Sequence, residues 1–278
     1  MSALIPFITF FSVLLLSVAT VEAGTTPFVA VFIDAKTEQA MGHFPYDRSI
    51  TAKAIAKLRE AGARGAVIKY YLDQSLPGTG DDDLALELKR FPVLLQARFD
   101  AEEKAPHSLP ARFNMASRVQ GKTSLLLAGA SGWIPLEKLS QNCAGVGFVD
   151  VVAESESQVP LVVSYKTMLV PSLWLAALEL LEGAKGKVVI GKNATIGKLV
   201  LPVNDAGEAK YQLPASDKID SLSFTDLVGG RIDQKKLRGK IVILGVDVEK
   251  IPTFETKIGK IGIHRLFYHA LVGLLNAH

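Results

Sequence analysis

The chain has 278 residues, of which 49% are hydrophobic, with 31 basic and 28 acidic side chains and a formal charge of +3. That length and apolar content bury a full core without disulfides or metals. The near balance of charge, with no Lys/Arg run, excludes a nucleic-acid stripe.

Residues Ser2 to Val21 carry no charge, and Val21-x-Ala23 has the small-residue spacing of a signal-peptidase site before Gly24. Residues 1–23 are therefore expected to be a signal peptide, with an uncleaved N-terminal anchor as the alternative, because the run approaches the ~20 residues that span a bilayer. Either reading exports residues 24–278, expected as a single domain that is periplasmic or secreted. No later stretch is apolar enough to cross a membrane: "VPSLWLAALELL" is too short and contains Glu179. Cys143 is the sole cysteine, so it has no internal partner, and "QNCAGVGF" makes it a small buried side chain.

"PFVAVFID" reads as a buried strand ending at Asp34. "AKTEQAMGHFPYDRS" reads as a connection, rich in turn residues. Asp47 or Ser49 can cap the helix "ITAKAIAKLREAG", whose Ile50, Ala54, Ile55 and Leu58 share one face, and Gly62 stops it. "GAVIKYYLD" is a second strand, which a βαβ crossover makes parallel to the first. The three aspartates at 81–83 suit the positive end of the helix "DLALELKRF", and "PVLLQARF" follows as a third strand.

Residues 100–120 have weak periodicity and read as a surface insertion. "TSLLLAGA", "GVGFVDVVAE" and "SQVPLVVSYKTMLV" read as strands, the last broken by Pro160. "PSLWLAALELLEG" is a helix with Pro171 near its start and Gly183 at its end. "KVVIGKNATIGKLVLPVNDAGEAKYQL" alternates strands and hairpin turns. "SFTDLVGG" is a short helix, "LRGKIVILGV" a central strand, and "HRLFYHALVGLL" a closing helix. The fold class is α/β: a mixed, largely parallel sheet flanked by helices, with antiparallel hairpin strands in the second half.

Motifs for chemistry are scarce. "GKNATIGKL" lacks the Ser/Thr and the following helix of a phosphate loop, so a hairpin is the better reading. "GASG" is not a nucleophile elbow. His264 and His269 are five apart, which splays their rings around a helix and suits no metal. The sequence calls for no catalytic residue, no cofactor and no metal. The remaining candidates are Asp34, Arg48 and Lys69, because ligands collect at the C-terminal edge of an open α/β sheet. Asp34 is also the expected ion-pair partner of Arg48.

The order of "FID", "GHFPYDR", "AKAIAKLREAGAR", "GFVD", "VPSLWLAALEL", "LPVNDAGEAKYQL", "SFTDLVGG", "LRGKIVILG" and "GIH" resembles the type-2 CHASE domain over residues 28 to 275. The resemblance implies an extracytoplasmic sensory module, normally fused through membrane spans to a signalling output domain. Three places depart from that pattern. Lys69 stands near a position that is usually acidic. "AESESQVP" replaces an Asp-x-Asp-Gly segment followed by a basic residue, and "VDVEKIPTFE" replaces a Thr/Ala-rich turn. These departures imply a different ligand or lost binding, and no output domain follows in this sequence. The expected function is a non-enzymatic sensory or ligand-binding module whose partner is a small molecule or an envelope protein, without nucleic acid, and with membrane contact only through the N-terminal anchor. The alternatives are a degenerate sensor that docks on an envelope protein, and an exported hydrolase with an unrecognised site.

Overall fold

The computed structural model describes residues 26–101, 108–151 and 157–277. The apolar run β1 (Phe28–Ile33) is buried on both faces and stops at Asp34. Asp34 accepts the Thr37 N–H and starts α1 (Ala35–Met41), a helix inside the stretch read as a connection. Its polar composition hid it, since only Thr37 of its residues is buried. Asp47 caps α2 (Arg48–Glu60) by accepting the Ser49 N–H, and Ala52, Ala54, Ile55 and Leu58 turn inward. Next come β2 (Gly65–Ile68), α3 (Gly80–Arg90) and β3 (Val93–Phe99). Strand β2 is shorter than expected, because the chain leaves the sheet after the Lys69 N–H bonds to Leu244 O.

Three two-residue strands follow: β4 (Val119–Gln120), β5 (Ala128–Gly129) and β6 (Gly132–Trp133). "TSLLLAGA" thus forms far less strand than its composition suggests, and its Leu125 is 60% exposed. The 100–120 segment is not a surface insertion throughout: Leu109, Phe113 and Met115 are buried. Arg112 in this segment donates to the carbonyls of Ser140, Gln141 and Cys143, which satisfies the end of α4 (Glu137–Asn142). Cys143 is buried as expected.

The next elements are β7 (Gly145–Phe148), β8 (Gln158–Pro160), β9 (Val162–Tyr165) and β10 (Met168–Pro171). Pro171 ends β10 rather than starting the helix. Ser172 is the cap of α5 (Leu173–Glu182), and Gly183 closes it at φ +66°. The hairpin region is β11 (Lys187–Val189), β12 (Asn193–Ile196), β13 (Leu199–Pro202) and β14 (Glu208–Lys210). The chain finishes with β15 (Leu222–Ser223), α6 (Phe224–Val228), β16 (Ile241–Val246), β17 (Thr253–Thr256), β18 (Gly259–Gly262) and α7 (Ile263–Leu275).

The central parallel sheet runs β15-β1-β16-β2-β3-β7, and β6 pairs antiparallel with the end of β3. Strands β1 and β2 are parallel but not neighbours. Strand β16 lies between them, with Ile243 level with Ala30 on one side and Val67 on the other. Alternate residues feed two cores. Phe28, Ala30, Phe32, Ile241 and Ile243 pack with α5 and α7, whereas Val31, Ile33, Val242 and Leu244 pack with α2, α3 and α6. The fold is thus α/β with helices on both faces of the sheet, and the second half adds antiparallel pairs β9–β10, β11–β12–β13 and β17–β18.

Strand β7 lies hard against the start of α5. A Cβ on Gly147 would come within 2.4 Å of Leu173 Cα. Backbone cannot yield as a side chain can, so Gly147→Ala is expected to lower the unfolding free energy by about 1–3 kcal/mol in urea denaturation. An unchanged midpoint would show that α5 is free to shift.

Candidate functional site at the strand ends

The C-terminal ends of β2, β3, β7 and β16 deliver Lys69 to Tyr71, Arg98, Asp150 and Val246 to one edge of the sheet. Two cavities open there. The first, of about 490 Å3, is lined among others by Tyr46, Arg48, Tyr70, Trp133 and His264. The second, of about 420 Å3, is lined among others by Lys69, Asp150, Trp174, Phe254 and Phe267. Tyr71, Arg98, Pro252 and Ile263 line both. Pro252 and Phe254 come from the β16–β17 connection and β17, so the β17–β18 hairpin forms part of the wall.

Lys69 is 4% exposed. Its Nζ lies 5.4 Å from the centroid of the Phe267 ring and has no hydrogen-bond or ion-pair partner among the described residues. Its pKa falls to about 7, chiefly through burial, with Asp150 opposing the shift and Arg98 adding to it. Asp150 accepts the Phe99 N–H at 2.9 Å through Oδ2. Burial nevertheless raises its carboxyl to about 6 against the pull of that hydrogen bond, Arg98 and Lys69. Lys69 and Asp150 form no ion pair with each other, and both line the second cavity.

Arg98 is exposed and stacks over Trp133 at 5.6 Å, with Tyr71 edge-on to the same indole at 4.5 Å. His264 Nδ1 accepts the Val246 N–H at 3.2 Å. That bond places the remaining ring proton on Nε2. Burial, then Lys69, lowers the His264 pKa well below the usual histidine value.

The three candidates from the sequence are placed differently from one another. Asp34 ends β1, but its Oδ1 accepts Thr37 N (2.8 Å), Thr37 Oγ1 (2.7 Å) and Ser223 Oγ (2.8 Å), and it lines neither cavity. Arg48 lines the first cavity, held by Asp81 and the Gln74 carbonyl. Its partner is therefore Asp81 rather than Asp34. The aspartate run does lie in the first turn of α3, as its helix-start reading requires, but Asp81 is buried and also accepts the Ser75 hydroxyl. Lys69 alone of the three lines the second cavity.

Arg98 and Asp150 escaped the sequence reading, although the rule that selected Asp34 and Lys69 applies to them equally. Arg98 stands near the end of "PVLLQARF", and Asp150 closes "GFVD". Two other cavities, of about 450 and 560 Å3, have polar walls that are already internally matched. Arg118 and Lys185 both bind Glu179 in the first, and Asn204 binds Glu208 and Gln158 in the second.

Searches of curated proteins and of solved structures return no match. A family model, that of the CHASE2 domain, matches residues 9–272, nearly the whole chain. The ordered motifs, the α/β fold and this match agree: the chain belongs to the CHASE2 domain family, a family of sensory modules.

Proposed function

We propose that this chain is an extracytoplasmic sensory module that binds a small molecule in the joined cavities at the C-terminal edge of its parallel sheet, and that it acts by binding rather than by turnover. The observation that carries this reading is Lys69, a buried ammonium that faces a cavity without a partner among the described residues. A buried charge is costly unless something compensates it, and a bound ligand can do so. Two potentially reactive side chains, His264 and Cys143, support binding over chemistry. His264 already spends Nδ1 on a backbone N–H, and burial pushes the Cys143 thiol up to about 12.

The exported location rests on family membership and on the apolar N-terminal run, which lies outside the described residues. Among the described residues no helix is long and apolar enough to cross a membrane. Among the described residues the large exposed apolar side chains are Leu86, Leu125, Val200 and Phe254, each on a different segment of the chain.

A thermal-shift screen of the purified protein against small metabolites tests the proposal. A ligand at about 100 times its Kd adds about 2.7 kcal/mol, equivalent to a Tm rise of about 5–10 °C for a chain of this size. A flat response across a broad library would overturn ligand sensing in favour of docking on an envelope protein.

A further inference from the structure

We infer that the ligand is a small organic anion, its acidic head set between Lys69 and Arg98 and its apolar body against Trp174, Phe254 and Phe267. This rests on the ligand-binding reading above and adds the chemical class.

Three observations point the same way. Among the described residues the second cavity is lined by two basic side chains, Lys69 and Arg98, and a single carboxylate, Asp150, so one negative charge completes it. Its unmatched groups are donors. Lys69 Nζ has no acceptor among the described residues, and the Trp174 Nε1–H on the same wall is buried with none. A carboxylate or phosphate offers only acceptors and suits the Lys69 ammonium. The rest of the lining is aromatic or aliphatic, which fits a flat or branched body and disfavours an inorganic ion. A cationic ligand would face two like charges across a half-buried space.

The pH dependence of binding follows from Lys69. Its ammonium loses its proton at about 7 in the free protein. An anion that needs the ammonium binds more weakly as pH rises above neutrality, by up to about tenfold per pH unit.

The test uses matched sets sharing one body: phenylacetate, phenylacetamide and phenethylamine, with the indolyl and isobutyl equivalents, read by thermal shift and calorimetry on the full chain. The acids are expected to bind, and the amides and amines are not. Lys69→Met and Arg98→Gln should each weaken acid binding at least about tenfold. Equal binding of amides or amines, or retained acid binding in Lys69→Met, overturns the anionic head while leaving ligand binding intact. Acids that fail while neutral metabolites bind in the broad screen overturn it as well. No binding by any compound in either experiment overturns the sensing reading from which it starts.

Discussion

Asp81→Ala is expected to lower the unfolding free energy by about 3–5 kcal/mol, the range for removing one partner of a buried ion pair. Arg48 is the first residue of α2, and Asp81 lies in the first turn of α3. Their side chains are only 5% and 10% exposed. Without the carboxylate, the guanidinium keeps only the Gln74 carbonyl, and its buried Nε already lacks a partner. A charge left in that position cannot recover its hydration.

The neighbouring pair is the control. Lys138 and Asp82 are 52% and 65% exposed, so Asp82→Ala should cost no more than about 1 kcal/mol. Replacing both buried partners, as in Arg48→Met with Asp81→Leu, should recover most of the loss, because no charge is then stranded. Urea denaturation of the four proteins decides. A loss below about 1 kcal/mol for Asp81→Ala would mean that solvent reaches Arg48 and that the wall of the first cavity is not rigid.

The second large effect has the opposite sign. Lys69→Met should raise stability at pH 7 by an amount on the order of 4 kcal/mol, from a pKa depressed from 10.5 to about 7. Unfolded, Lys69 holds its proton up to about 10.5, whereas the folded protein releases it near 7. Between those values the unfolded state binds more protons, so the stability of the unmodified protein rises with pH. Below about 7 both states are protonated and the whole penalty is present.

The methionine variant loses this slope, and the gap between the two proteins should close toward pH 10. Denaturation at pH 7 and pH 9 measures both the gap and its closure. A variant that is no more stable, or equal slopes in the two proteins, would show that Lys69 is solvated in the folded state. A gain in stability from deleting a polar group beside a cavity is the pattern of a side chain retained for recognition rather than for folding.

Much of the architecture was readable along the chain. Strands β1 and β16 are continuous apolar runs, and both proved buried on both faces of the sheet. The cap at Asp47 and the stop at Gly183 are local chemistry, since a short oxygen side chain or a left-handed glycine acts on its own turn. The ordered motifs were sufficient to indicate the family, which the model match over residues 9–272 establishes. Helix α1 was missed because almost nothing on it is buried, and β2 was overestimated because "KYY" is as strand-like as the residues before it.

The sequence by itself determined the fold class, the sheet covered by helices and the interior character of β16. Only the tertiary structure decided that Arg48 meets Asp81 rather than Asp34, that Asp34 is consumed in capping α1, and that Lys69, Arg98 and Asp150 surround one cavity. The physical reason is range. Periodicity and capping act over a few residues, whereas the meeting of Lys69, Arg98 and Asp150 depends on the lateral order β2-β3-β7 and on the register that sets Leu95 level with both Ile68 and Val146. Hydrogen bonds between strands far apart in the chain set that order and register, and no local pattern encodes them.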